Sequence, residues 1–190
     1  MRAARAPLVV GVTSHRNLDA SEIESLRGHV REIFLQLRED FPHAPLTILS
    51  PLAEGGDQLV AEEALAAGAR LIAPLPLARA QYAEDFADAA ARARFDALCD
   101  AAQIVELPHL AGTAAPTGHE RDRHYAQAGV YVSDHCHILL AIWDGKTSNL
   151  LGGTAQIVRY RLRGEKPALA ERRREAPHSL LGDDNARLAY

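Results

Sequence analysis

Short apolar segments alternate with amphipathic helical patterns between residues 7 and 165, and this alternation restricts the fold more than any other feature. Strands that are buried on both faces of a sheet are continuous apolar runs rich in β-branched residues. Five segments have this character: PLVVGVT (7–13), PLTILS (45–50), RLIAPLP (70–76), QIVELP (103–108) and HCHILLAIWDG (135–145). Because helical segments separate them, we predict an α/β fold, a Rossmann-like, doubly wound, mainly parallel sheet with helices on both faces.

Helical patterns fill the intervals between the predicted strands. They cover residues 19–41, 57–69, 79–102 (as one or two helices), 121–135 and 154–164. In the first of them Asp19 or Ser21 is the expected N-cap. The regular alternation ends near residue 165. We therefore predict a Rossmann-like domain over residues 1–165 and a C-terminal extension over residues 166–190, with an edge strand near Lys166–Ala170 and an irregular tail.

The composition argues against several classes of protein. The formal net charge of −4 and the isoelectric point near 6.1 do not suit a protein that coats DNA or an anionic membrane. We expect the basic tract Arg159–Arg174 to be a solvated helix face, and we do not expect a nucleic-acid partner. The apolar run HILLAIW is too short to span a bilayer, and the N-terminal run is too short for a signal peptide. We expect a cytoplasmic protein without a membrane partner.

Cysteine and histidine usage predicts no metal centre. Cys99 and Cys136 form no CxxC motif and lie in apolar surroundings, which favours buried free thiols in a reducing compartment. His135 and His137 share one face of a strand, but no further ligand stands at a suitable spacing. We therefore assign no metal and no cofactor. Sheets of this kind often pair through helices, which leaves self-association into a homo-oligomer open.

Ligands of open parallel sheets bind beyond the carboxyl ends of the strands, so the loops that follow the strands are the candidate site. The strand-one loop, residues 11–17 (GVTSHRN), begins at Gly11, which permits close backbone approach. Its hydroxyl and cation-forming side chains can bind a phosphate or a carboxylate: Thr13, Ser14, His15 and Arg16. The alternative is a polar turn in which Arg16 is solvated.

The strand-two loop, residues 50–57 (SPLAEGGD), contains a glycine pair before a helix. Backbone amides at Gly55 and Gly56 can hold an anion at the helix start. Glu54 and Asp57 can accept hydrogen bonds from ribose hydroxyls. The alternative is that Asp57 only caps the helix.

The strand-five loop, residues 143–154 (WDGKTSNLLGGT), also ends in glycines before a helix. Asp144 and Gly145 follow the strand, and Gly152–Gly153–Thr154 open the helix that contains Gln156. The glycine amides can point at one oxygen cluster, and we expect Thr154 to be both cap and phosphate ligand. The loop lacks the lysine of a Walker A motif and does not match G-x-G-x-x-G.

In these loops the chain resembles the SLOG superfamily of Rossmann-like nucleotide-binding domains, over residues 7–165. The resemblance rests on GVTSHRNL, LSPLAEGGDQLVAEEALAAGARLIAPLP and SDHCHILLAIWDGKTSNLLGGTAQIV, and a bacterial branch with GVTGHR and GGTAE loops is particularly similar. The superfamily includes the lonely-guy (LOG) phosphoribohydrolases, the DprA/Smf DNA-processing proteins and sensor domains tied to nucleotide second messengers. The resemblance implies a nucleotide ligand at the three loops.

In LOG enzymes the pattern is P-G-G-x-G-T-x-x-E, whose glutamate assists cleavage of the N-glycosidic bond, and a partner arginine lies on the preceding helix. Here Ile157 stands three residues after Thr154, and the nearest polar residue is Gln156, an amide without acid–base capacity. Tyr125 falls about where the arginine would be, with Arg121 and Arg123 one turn earlier. The resemblance therefore implies that phosphate binding is kept while the glutamate of the cleavage reaction is missing.

We accordingly expect a domain that binds a nucleoside monophosphate, ADP-ribose or a cyclic ADP-ribose and acts as a sensor or regulator, and we favour a binding domain over an enzyme. One alternative is a LOG-type N-glycosidic phosphoribohydrolase whose acid comes from Glu54, Asp57 or Asp144. A second alternative is a DprA-like DNA-binding protein. Gln156→Glu is predicted to leave binding unchanged and to confer no hydrolysis unless a second acid lies opposite.

Overall fold

The five predicted apolar segments each form one strand of a parallel sheet. The structure, a computed structural model, describes residues 5–110, 116–165, 167 and 188–189. The strands are β1 (Leu8–Ser14), β2 (Leu46–Leu49), β3 (Arg70–Leu75), β4 (Gln103–Glu106), β5 (Ile138–Ile142) and β6 (Leu188–Ala189). They pair in parallel in the order β4-β3-β2-β1-β5-β6, with Val10 opposite both Ile48 and Ile138.

The helices lie in the predicted intervals. They are α1 (Ile23–Asp40), α2 (Gly56–Ala66), α3 (Arg79–Tyr82), a 3₁₀ turn (Ala83–Asp85), α4 (Ala89–Ala101), α5 (Gly118–His135) and α6 (Thr154–Arg163). The predicted helical stretch 79–102 is thus divided into two helices and a 3₁₀ turn, and α5 begins three residues before its predicted start. No helix among the described residues combines the length and the apolar composition needed to cross a bilayer.

Two apolar cores cover the two faces of the sheet, as predicted for a doubly wound fold. The larger core joins β1, β2 and β5 to α1–α4 and contains Val10, Ile48 and Phe34. The smaller core joins the opposite face to α5 and α6, with Leu139 and Ile157 at its centre. Since alternate residues of a buried strand point to opposite faces, continuous apolar strands supply both cores at once.

The predicted caps of α1 are wrong. The Asp19 carboxylate accepts hydrogen bonds from the amide and the hydroxyl of Ser21, at 2.9 and 2.7 Å, in a turn that precedes the helix. Glu22 occupies the N-cap position without a side-chain cap. The Asp19 carboxylate thus forms an Asx turn with Ser21 and does not cap the helix, as the sequence pattern had predicted it would.

In the described part of the basic tract Arg163 is exposed, as predicted for a solvated face, whereas Arg161 is not. Arg161 is only 5% exposed and donates to the backbone oxygens of Ser133 and His137, at 2.8 and 2.7 Å. A guanidinium suits this position because the last carbonyls of a helix have no intrahelical donors, and α5 ends there. Arg172–Arg174 lie outside the described residues.

A short strand near the C-terminal end of the sequence, β6, joins the sheet. β6 pairs with β5, with Ile138 opposite Leu188. The edge strand that we predicted near Lys166–Ala170 falls, apart from Pro167, outside the described residues. The boundary at residue 165 stays a prediction.

Candidate functional site

A cleft of about 1050 Å³ opens at the carboxyl ends of β1 and β5. The chain leaves β1 towards α1 on one face of the sheet and enters β5 from α5 on the other, so this is the topological switch point where such sheets bind ligands. The predicted residues that line the cleft are Thr13, Ser14, His15, Arg16, Asp57, Asp144, Gly152, Gly153 and Thr154. The predicted residues that do not line it are Gly11, Glu54, Gly55, Gly56, Gly145 and Gln156.

His15 and Asp144 connect the strand-one loop to the strand-five loop. The His15 Nε2 atom lies 3.2 Å from Asp144 Oδ1. The same carboxylate accepts from the Lys146 backbone amide at 3.0 Å and lies 3.1 Å from the Lys146 ammonium. The hydrogen bond from the Lys146 amide has the largest effect among these contacts, and together they lower the pKa of Asp144 to about 2. Asp144 is therefore ionised at neutral pH and does not supply a proton there.

Arg16 places an exposed cation in the cleft. Its guanidinium carbon lies 5.1 Å from the centroid of the Tyr125 ring, over the ring face. No carboxylate in the described part of the chain forms an ion pair with Arg16. A guanidinium held on an aromatic face without a carboxylate is available to bind a ligand anion in a bidentate manner.

Tyr125 is itself held in place from a distant part of the chain. Its hydroxyl donates to the Asp85 carboxylate in the 3₁₀ turn, and Arg121 Nε donates to both Asp85 and the Tyr125 hydroxyl, at 2.9 and 2.8 Å. Burial, followed by the nearby Asp85, raises the pKa of Tyr125 to about 12. The phenol is therefore neutral and serves as a fixed platform under Arg16.

The strand-two loop supports the strand-one loop from behind. The Gly56 amide donates to the His15 carbonyl at 3.2 Å, and a Cβ on Gly55 would lie 2.1 Å from the Arg16 carbonyl oxygen. Gly55 has a φ of 92°, which L side chains rarely adopt. The glycine pair thus permits backbone-to-backbone packing of the two loops, and the Gly56 amide already has an acceptor within the protein.

Asp57 does not cap α2, because Gly55 is the N-cap residue and Asp57 lies in the first turn. Asp57 is only 3% exposed, and its carboxylate accepts from Ser14 Oγ at 2.6 Å. Burial is the largest cause that raises the pKa of Asp57, to about 7. The cleft therefore contains one carboxyl group that titrates near neutral pH and another, Asp144, that stays ionised.

The strand-five loop begins α6 at the edge of the cleft. Gly153, not the predicted Thr154, is the N-cap residue, and Thr154 is the first helical residue. The Gly152 amide donates to Gln156 Oε1 at 2.7 Å, so the side chain of Gln156 turns back towards the loop. Gly152 has a φ of 75°, and a Cβ there would lie 2.7 Å from the Ala126 amide nitrogen of α5. The Gln156 amide donates to the Gly153 carbonyl at 2.9 Å, so the amides of Thr154 and Ala155 are the ones at the start of α6 that an anion can use.

Gly11 has a packing role under the cleft. A Cβ on Gly11 would lie 2.7 Å from Val132 Cγ1 and 2.8 Å from Cys136 Sγ, both on the α5 side of the sheet. The close backbone approach that the sequence suggested is therefore made by α5. Glu54 and Gly145 each follow a cleft-lining residue along the chain, but neither of them lines the cleft.

Comparison with known proteins decides the fold type. No protein-family model matches this sequence, and no curated protein matches it. The structure is similar to the X-ray structure of DNA processing protein A (DprA) from Streptococcus pneumoniae, with a TM-score of 0.51 and 16% sequence identity. The match covers 93% of this chain and 52% of that chain. The chain therefore has a Rossmann-like fold that is similar to the corresponding part of the DprA structure.

This similarity of fold agrees with the predicted resemblance to the SLOG superfamily, which includes DprA proteins. The chain spans about half the length of the DprA structure. A second solved structure, the structural-genomics target TM1055, matches with a TM-score of 0.42 and 14% identity, over 87% of this chain and 79% of that chain.

Several residues that line the cleft were not among the predicted site residues. Tyr82, Tyr125 and Trp143 line it. The Arg16 guanidinium, from another loop, occupies the space above Tyr125. Among the described residues no group of three or more His, Cys, Asp or Glu side chains could hold a metal ion.

Gln156 has a capping role at the start of α6 that mutation can test. Gln156→Ala is expected to lower the free energy of unfolding by about 1 kcal/mol, because the Gly152 amide loses its acceptor. Gln156→Glu keeps an acceptor oxygen and adds a negative charge at a helix N-terminus, so stability should stay within about 0.5 kcal/mol of the wild type. Urea denaturation of the three proteins measures both effects. An equal loss of stability in the two variants would contradict the capping role.

Proposed function

We propose that the cleft binds a nucleotide or a nucleotide derivative, of the nucleoside monophosphate, ADP-ribose or cyclic ADP-ribose type, and that the domain acts as a sensor or regulator. The observation that carries this proposal is the Arg16 guanidinium, which lies in the cleft without a carboxylate partner among the described residues. Thr13, Thr154 and the first amides of α6 supply further donors beside it. Such a set of donors suits a phosphate or a pyrophosphate.

The size and lining of the cleft support a ligand larger than inorganic phosphate. Its volume of about 1050 Å³ is at the upper end of the range for small-molecule pockets. One side is apolar, with Leu26, Val30 and Ile142, and Trp143 lies at the end of β5. Apolar and aromatic walls beside a few polar groups are typical of sites that hold a base and a sugar.

Isothermal titration calorimetry with AMP, ADP-ribose and cyclic ADP-ribose tests the proposal. We expect at least one of them to bind with a Kd below millimolar. Failure of all three to bind below millimolar, for protein whose circular dichroism spectrum shows a folded α/β domain, would overturn the proposed function.

Arg16→Ala is expected to weaken binding of that ligand about 10- to 100-fold, the range for loss of a charge-assisted hydrogen bond to a phosphate. Arg92→Ala is the matched control, since Arg92 is an exposed arginine of α4 away from the cleft. It should bind as the wild type does. Equal affinities of the Arg16→Ala and wild-type proteins would show that the anion does not lie at Arg16.

A second candidate function, N-glycosidic hydrolysis, is favoured by one observation. Asp57 lines the cleft, and its pKa near 7 is suited to general acid–base catalysis at neutral pH. Of the other acids proposed for this role, Asp144 is ionised and Glu54 does not line the cleft. Release of free adenine from AMP, lost in Asp57→Asn, would support this function. Intact AMP after prolonged incubation with the wild-type protein would exclude it for that substrate.

A further inference from the structure

Ser14 and Asp57 form a hydrogen-bonded pair at the floor of the cleft. The Ser14 Oγ atom lies 2.6 Å from Asp57 Oδ1, and both residues line the cleft. The carboxyl group is almost completely buried, whereas Ser14 is partly exposed. The serine hydroxyl is therefore the part of the pair that a ligand can reach.

The direction of this hydrogen bond depends on the protonation of Asp57. A serine hydroxyl has one hydrogen, and an ionised carboxylate can only accept, so with ionised Asp57 that hydrogen points away from the cleft. A protonated carboxyl group can donate its own hydrogen to Ser14 Oγ, which releases the serine hydrogen. In that state Ser14 can donate to an anionic ligand, and the negative charge beneath the ligand is gone.

We propose that Asp57 is a positioning residue that acts through Ser14, and that binding of an anionic ligand in the cleft takes up one proton at this pair. The inference rests on the proposed function and adds to it the linkage between ligand and proton. Ser14 then belongs to the ligand-binding donors, beside Arg16 and the amides of α6.

The other charged and titratable groups around Asp57 do not remove the need for a proton. On the strand-one loop, Arg16 acts on the carboxylate through its charge and lowers the pKa of Asp57, but it does not form an ion pair with it. Tyr82 of α3 is buried near Asp57, and burial raises its pKa far above neutral pH, so it stays a neutral phenol. Burial outweighs these neighbours and raises the pKa of Asp57 to about 7, which places the proton uptake in an accessible range.

The test is calorimetry with ADP-ribose from pH 6 to pH 8.5, in pairs of buffers with different ionisation enthalpies. ADP-ribose is chosen because its pyrophosphate does not titrate in this range, unlike the phosphate of AMP. For the wild type we expect uptake of more than about half a proton per bound ligand at pH 8, and a Kd that rises by up to about tenfold per pH unit above pH 7.

Two variants separate this role from a merely structural one. The amide of Asp57→Asn can donate to Ser14 at every pH, so this variant should bind without proton uptake in this range and at least about tenfold more tightly than the wild type at pH 8.5. The gain should disappear in the double variant with Ser14→Ala, because the residue that contacts the ligand is then missing. Carbon-13 NMR of the ligand-free protein should show the Asp57 carboxyl group titrating above pH 6.

The possible failures are distinguishable. Binding without proton uptake overturns the role of the pair and leaves the proposed function intact, and so does uptake that persists in Asp57→Asn, because the proton then binds to another group. If carbon-13 NMR shows that the Asp57 carboxyl group titrates below pH 5, the role of the pair is likewise overturned and the proposed function stays intact. If ADP-ribose, AMP and cyclic ADP-ribose bind neither the wild type nor Asp57→Asn at any pH, the proposed function and this inference both fail.

Discussion

Gly55→Ala is expected to lower the free energy of unfolding by about 4 kcal/mol and the Tm by roughly 10 °C. The new Cβ would lie 2.1 Å from the Arg16 carbonyl oxygen and 2.8 Å from the His15 carbonyl oxygen, and both are backbone atoms that cannot rotate away. The φ of 92° adds strain for any residue with a Cβ. The strand-one loop must therefore move, and with it the Arg16 guanidinium, so ligand binding should be lost at temperatures where the variant is still folded.

Gly28→Ala is the matched control for this prediction. Gly28 lies within α1, and a Cβ there would meet no atom within 4 Å. This variant should be more stable than the wild type by about 0.5–1 kcal/mol, because alanine loses less backbone entropy in a helix than glycine does. Thermal denaturation followed by circular dichroism measures both variants. A Gly55→Ala protein within 1 kcal/mol of the wild type would show that the two loops are not packed as described.

The sheet and its switch point were predictable from the sequence because they depend on local patterns. Five apolar runs with helical patterns between them predict parallel strands, and the polar loops after β1 and β5 then fall at one edge. Thr13 to Arg16, Asp144 and Gly152–Thr154 were placed correctly beside one another for this reason. Their role in nucleotide binding stays a prediction.

The roles of the glycines and of the tyrosine platform were not predictable in the same way. A glycine pair before a helix is equally typical of an anion cradle and of close backbone packing, and only the contact with the Arg16 carbonyl distinguishes them at Gly55. The platform under Arg16 depends on the hydrogen bond between Tyr125 and Asp85, which are 40 residues apart. No periodicity in the sequence encodes such a contact.

The burial of Asp57 is the point where the sequence pattern was most misleading. An aspartate after two glycines at a helix start is a typical capping residue, and capped carboxylates are exposed and ionised. Here the side chain turns towards Ser14 and is removed from solvent by the strand-one loop packed over it. A buried carboxyl group whose side-chain donor is a single hydroxyl lowers the stability of the fold at neutral pH, and such a cost is common at functional sites.

Asp57→Asn is therefore expected to raise the free energy of unfolding at pH 8 by up to about 4 kcal/mol, the free energy that corresponds to a pKa raised from 3.8 to about 7. When the pKa of a group is higher in the folded than in the unfolded state, its protonation stabilises the fold. This stabilisation is complete below the pKa of the unfolded state, and it is lost as the pH rises through the pKa of the folded state. The advantage of the variant should thus be small at pH 4 and should grow up to about pH 8.

Urea denaturation of the wild type and the variant between pH 4 and pH 8.5 measures this difference, and subtraction cancels the titration of the other carboxyl groups. Asp144→Asn is the matched control, because Asp144 also lines the cleft but its pKa is lowered to about 2. Because the pKa of Asp144 is lower in the folded than in the unfolded state, its ionised form stabilises the fold at pH values above the pKa of the unfolded state. Asp144→Asn should therefore gain no stability at pH 8. If Asp57→Asn also gains none, the carboxyl group is not buried in an ionised state at that pH, and the proton linkage proposed for Ser14 loses its physical basis.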